Sequence, residues 1–207
     1  MRGVTDARLL AFVVALALSA CARPQPQAPK PDDAVKAEIA RAEAAEAKRE
    51  HLVAREHYEK AVAAAEQRRD PASIGFARRE FGETLATWGE NDEARVQLEA
   101  SVAAVPTDPI AWQMLGIIRH KHGDIAGAFA ALEKSKTLAP RAWIPRRDLA
   151  VLHWSRGEGR TADPDPAKAA EHRAAALAEY RAMLELELPA RLREKVEWAI
   201  AALSKTR

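Results

Sequence analysis

The balance of apolar and polar positions changes character along this chain of 207 residues. From Leu9 to Ala20 every residue but Ser19 is apolar, with Arg2 and Arg8 ahead of the run. A bilayer-spanning helix needs about 20 such residues, so this shorter stretch predicts the core of a signal peptide over residues 1–20. From Ala22 to Asp33 the apolar pattern stops, and Pro24, Pro26, Pro29 and Pro31 stand among glutamine and alanine. That composition favours extended polyproline II and buries no core, so residues 21–33 read as a tether with a reach of about 30 Å at about 3.1 Å per residue. Asp32 and Asp33 suit a helix N-terminus. Alanine and charged residues then run to Arg69 without glycine or proline, which predicts one long helix, or two with an unmarked turn, within residues 34–74. Near the C-terminus Leu192, Val196, Ala199, Ile200 and Leu203 form an apolar stripe at helical spacing after Pro189, the pattern of a capping helix over 189–207.

Between these segments lies a repeat. A shift of 34 residues brings Gly82 onto Gly116, Gly89 onto Gly123, Ala94 onto Ala128, Leu98 onto Leu132, Ser101 onto Ser135 and Pro106 onto Pro140. The period and the residue types resemble the tetratricopeptide repeat. The resemblance implies an all-α superhelix of antiparallel helix pairs, with units at 75–108 and 109–142 and a third at 143–188 that carries an insertion at 158–166. In the second unit Trp112, Leu115 and Gly116 occupy the family's W-x-x-L-G positions, and Gly123 is expected to end the first helix. Ala128 is expected to face Gly116, and Leu132 and Ser135 to face the following unit. The first unit has Arg78 where the family has a large aromatic residue. The third keeps Leu149, Ala150 and Gly157, then resumes the pattern with Ala176, Tyr180 and Met183. Ala54, Tyr58 and Ala61 give a half-match that suggests a degenerate unit ahead of the first.

Charge narrows the functional classes. Lys and Arg number 32 against 30 Asp and Glu, and the leader contributes only Arg2, Arg8 and Asp6, so the remainder is equally near neutral. Nothing in this balance asks for nucleic acid. The chain's only cysteine, Cys21, follows Leu18-Ser19-Ala20, a stretch that resembles the lipobox of bacterial lipoproteins. The resemblance implies cleavage before Cys21, diacylglycerol on its thiol and acylation of the new N-terminus, for instance by palmitate. Two or more acyl chains hold a soluble domain stably at a membrane. Ala22 is not the aspartate that keeps some such proteins at the inner membrane, so the implied address is the outer membrane, facing the periplasm of a bacterial envelope. With Cys21 lipidated, no thiol remains for a disulfide or a metal site.

Reactive chemistry is sparse. His120 and His122 are two apart on a helix and point to different faces, so they cannot chelate one metal as an i, i+4 pair could; His51 and His57 are no better spaced. Asp163-Pro-Asp165-Pro reads as a rigid turn because it lacks the ligand count and glycine of a calcium loop. No nucleophile, phosphate-binding or cofactor motif is present, so no catalytic residue, metal or cofactor is expected. An enzyme or small-ligand binder would have to draw on the histidines and carboxylates around 158–166.

In tetratricopeptide domains the first helix of each unit lines a concave face. The resemblance places there Phe76, Arg79, Glu83, Ile110, Gln113, Ile117, His120, Lys121, Ile144, Arg147, Val151 and Trp154. Basic and apolar residues mixed in this way suit a protein partner whose segment offers hydrophobic anchors and an acidic group. Arg79, Lys121 and Arg147, at groove positions of successive units, are expected to form one positive strip. The implied function is a lipid-anchored, non-enzymatic adaptor. A narrower resemblance is to the pilotins, tetratricopeptide lipoproteins for outer-membrane secretin and type IV pilus assembly, which usually carry a longer array. The anchor has a direct test. Cys21→Ser should end incorporation of labelled palmitate and release the protein to the soluble periplasm or stall it uncut; continued labelling and outer-membrane fractionation would refute the lipobox.

Overall fold

The structure, a computed structural model, describes residues 30–158 and 161–205. The expected leader, Cys21 and most of the tether lie outside these residues. Among those described, the chain is helical throughout: α1 Asp33–Ala47, α2 His51–Arg68, α3 Pro71–Trp88, α4 Asn91–Ala104, α5 Pro109–Lys121, α6 Ile125–Leu138, α7 Trp143–Gly157, α8 Pro166–Leu184 and α9 Ala190–Lys205. The helices pack as hairpins α1–α2, α3–α4, α5–α6 and α7–α8; each hairpin stacks on the next, and α9 closes the array against α8.

Three helices start alike. Asp70, Asp108 and Asp165 accept hydrogen bonds from first-turn N–H groups, and the proline that follows each takes the first helical position, where no N–H is needed. Helix ends use the left-handed region. Gly89 and Gly123 sit at φ 86° and 77° in the turns inside the second and third hairpins. In the first hairpin that conformation falls to Arg49, at φ 62°. A turn made without glycine leaves no mark in composition, so residues 34–69 look continuous yet fold as two helices. Gly157 keeps the 34-residue spacing but has a different task. It is buried within α7, where a Cβ would lie 2.6 Å from Arg173 Cγ.

Inside the hairpins the repeat becomes a packing rule. A Cβ on Gly82 would stand 2.8 Å from Leu98 Cγ, and one on Gly116 would stand 2.7 Å from Leu132 Cγ. The glycine thus receives a leucine side chain, with the Ala128 carbonyl 3.2 Å away. Ala128 faces Gly116 with its backbone, as expected, and the Leu132 side chain fills the remaining gap. Ser101 Oγ donates to the Gly75 carbonyl at 2.8 Å, and Ser135 Oγ to the Pro109 carbonyl at 2.6 Å, the same bond one period apart. Ser135 therefore ties its own hairpin together and does not face the next unit. Leu132 reaches forward to Leu149 and Leu152 of α7.

The core is correspondingly serial. One cluster runs from Val35 in α1 to Ile118 in α5, a small one links α6 to α7, and a third runs from Ala150 to Leu203. Tyr58 of α2 stacks on Phe81 of α3 with ring centroids 5.3 Å apart, and its hydroxyl accepts from Thr84 at 2.8 Å. Further along, Glu179 of α8 binds Lys136 of α6 at 2.7 Å and Arg146 of α7 at 2.9 Å. Val196, Ala199 and Leu203 of α9 are buried. Gly116→Leu should lower stability by about 1–3 kcal/mol through overpacking, read as a fall in melting temperature; an unchanged melt would show that the Gly116–Leu132 contact does not limit hairpin approach.

Candidate partner-binding groove

The first helices of the hairpins line an open cavity of about 730 Å³. Eight of the residues expected on the concave face border it: Arg79 and Glu83 from α3, Ile110, Gln113, Ile117 and Lys121 from α5, and Ile144 and Arg147 from α7. They meet because each hairpin presents its first helix on the same side. Ile110 is 47% and Ile144 37% exposed, so two large aliphatic side chains stand open to solvent on a concave surface. Met114, Ala86 and Thr87 also border the cavity; the repeat pattern does not mark them. The other four expected residues lie in satellite hollows. Phe76 is beside the Val105–Pro109 loop, His120 and Val151 are between α5 and α7, and Trp154 is with Tyr180, Leu192 and Trp198.

The expected positive strip is largely neutralised from within. Arg79 pairs with Glu80 at 2.8 Å and Asp108 at 3.1 Å, and its guanidinium lies over the Phe76 ring. Arg147 pairs with Asp148 at 2.7 Å and covers the Trp143 ring. Gln113 holds the other oxygen of Asp148 at 2.6 Å. Lys121 is exposed, and among the described residues its ammonium meets only the Asn91 amide oxygen, at 3.3 Å. Carboxylates one residue along the helix from Arg79 and Arg147, and the Asp108 cap, account for the difference: a count of cations at one helical spacing omits the anions that fold back on them.

The remaining polar candidates are engaged structurally. His57 and His51 sit 2.7 and 3.0 Å from Glu38 and Glu46, and His122 is 3.6 Å from Asp92. At the insertion, Glu158 accepts from the Trp154 indole, Asp163 accepts from Arg156 and from the Asp165 N–H, and Asp165 caps α8. The Asp165 N–H and the Arg156 guanidinium hold the Asp163 carboxyl below its usual range. Among the described residues no three His, Cys, Asp or Glu side chains converge as metal ligands, and no helix is long and apolar enough to cross a membrane.

One polar pair escapes a reading of the sequence by spacing. His153 of α7 and His172 of α8 bring their Nδ1 atoms to 2.9 Å beneath Phe129 of α6. The insertion separates them by 19 positions, so only the folded hairpin joins them.

A solved structure shares this architecture. The crystal structure of MamA protein is 16% identical, covers 83% of this chain and 86% of its own, and superposes with a TM-score of 0.55. The fold is a helical-repeat superhelix of the tetratricopeptide type. A candidate protein-binding protein from Bacteroides ovatus ATCC 8483, 13% identical, covers 83% of this chain and 98% of its own with a TM-score of 0.49. No protein-family model matches the sequence, and no curated protein is similar to it in sequence.

The histidine pair makes a pH prediction. Burial, and secondly His172, hold the His153 pKa below the usual imidazole value of 6.5, against a weaker pull from Glu179 and Glu133. A base held neutral in the fold stabilises fully above its unfolded pKa, and that contribution is lost as pH falls through the folded value. Melting temperature should therefore fall from pH 7 to pH 5, and His153→Gln should flatten the slope. Equal slopes in both proteins would contradict the assignment.

Proposed function

We propose that this chain is a lipid-anchored, non-enzymatic adaptor of the bacterial envelope, attached through Cys21 at the outer membrane and holding a segment of a partner protein against its concave face. The observation that carries this reading is the open cavity in which Ile110, Ile117 and Ile144 stand beside Lys121 and Arg147. Apolar side chains on a concave surface, flanked by a few polar groups, suit peptide capture by buried anchors with a polar rim. The engaged carboxylates at the insertion favour an adaptor over an enzyme, because each already serves a cap, a turn or an indole. The lipobox and the proline tether support the address and would set the domain about 30 Å from the bilayer.

Replacing Ile110, Ile117 and Ile144 with serine should leave helicity intact and cut capture of the crosslinked partner by about tenfold or more, since anchors in such pockets contribute 1 kcal/mol or more each. Leu52→Ser with Val96→Ser alters apolar residues, 85% and 53% exposed, that do not border the groove, and should bind normally. Loss with the second pair and retention with the first would overturn the groove. Recovery of a secretin would assign the narrower pilotin role.

A further inference from the structure

The concave surface is not uniform along the stack. Sharing Glu83 and Thr87 with the apolar cavity, a second hollow of about 330 Å³ between α1 and α3 is bordered by Glu43, Glu46, Glu80 and Glu83. Glu46 accepts from the Trp88 indole at 2.9 Å and meets His51 at 3.0 Å. Glu80 pairs with Arg79, which Asp108 shares. Glu43 and Glu83 are exposed, and neither forms an ion pair within the described residues. Of the carboxylates at this end only Glu80 and Asp108 share the Arg79 guanidinium. Burial raises the Glu80 pKa against the pull of Arg79, and Glu83, Glu43 and Asp108 add smaller contributions in the same direction as burial. Toward the other end the cations are less fully paired. Among the described residues Lys121 meets no carboxylate, Arg147 keeps 39% of its side chain exposed beside Asp148, and Lys195 borders the next hollow with Trp154 and Trp198.

We propose that the groove reads its occupant in one direction: the partner segment carries a lysine or arginine over the α1–α3 end, an apolar side chain at Ile110, Ile117 and Ile144, and a carboxylate over Lys121 and Arg147. This rests on the groove being the binding surface, and it adds a basic side chain at one end to the apolar anchors and acidic group expected of the partner. The complementary cation belongs on a flexible side chain, because these carboxylates do not converge as metal ligands. Neighbouring helices lie about 8–10 Å apart. An extended chain advances about 3.3 Å per residue, so about seven residues cover the distance from α1–α3 to α7. Complementary charge fixes register and excludes segments of the wrong sign.

The test is selection from a random peptide display library on the purified full chain. Selected sequences should place Lys or Arg on one side and Asp or Glu on the other side of an apolar residue. Glu43→Gln with Glu83→Gln should weaken the best of them about fivefold, and Glu43→Lys with Glu83→Lys should weaken it further and shift selection to wholly acidic peptides. Both pairs lie on exposed positions, and circular dichroism checks their fold. Wholly acidic peptides selected by the unaltered chain and lost on Ile117→Asp would overturn the polarity and leave the groove standing. Peptides indifferent to Ile117→Asp, or no selection at all, would overturn the groove and the polarity with it.

Discussion

The close approach of paired helices at Gly82 and Gly116 is the constraint on which the rest of the molecule depends. A glycine on one helix takes a leucine from the other, Leu98 or Leu132, into space that a Cβ would occupy. That contact sets the hairpin spacing, and Ser101 and Ser135 fix it by donating to carbonyls near the start of the partner helix. Because the same pair of contacts recurs after 34 residues, successive hairpins have nearly the same shape and stack with their first helices on one side. The concave cavity is a product of this repetition. It needs no special residue, only a regular step, as in other arrays whose units contact chiefly their neighbours.

Much of the fold was legible because regular packing demands regular residues. Glycine at close approach, alanine and leucine at the interface and proline after the second helix all follow from sterics, and they recur at Gly82 and Gly116, Ala94 and Ala128, Pro106 and Pro140. The first hairpin was legible only in half, through Ala54, Tyr58 and Ala61, because Arg49 makes a left-handed turn without glycine. Gly157 shows the converse: the spacing persisted while its cause changed from a turn to a close contact with Arg173. Interpreting a repeat position therefore requires the neighbour as well as the period.

The groove divides along similar lines. The concave positions implied by the tetratricopeptide resemblance include Ile110, Ile117, Ile144 and Lys121, and the fold brings these four to one cavity. Electrostatics did not follow from the same pattern. Whether Arg79 and Arg147 are free depends on Glu80, Asp108 and Asp148, and Asp108 is the N-cap of α5, outside the helix face. The acidic hollow was hidden further, since Glu43 and Glu46 reach the groove only once residues 33–68 are a hairpin. The His153–His172 contact depends on a hairpin with an irregular connection, where no fixed period applies.

In the proposed function, binding energy lies in exposed aliphatic side chains and selectivity in charge at either end. Site-specific photocrosslinking in intact cells tests that claim most directly, with the photoreactive residue placed in turn at Ile117 and at Val96. The groove account predicts partner adducts from position 117 and none from position 96; adducts from position 96 alone would contradict it.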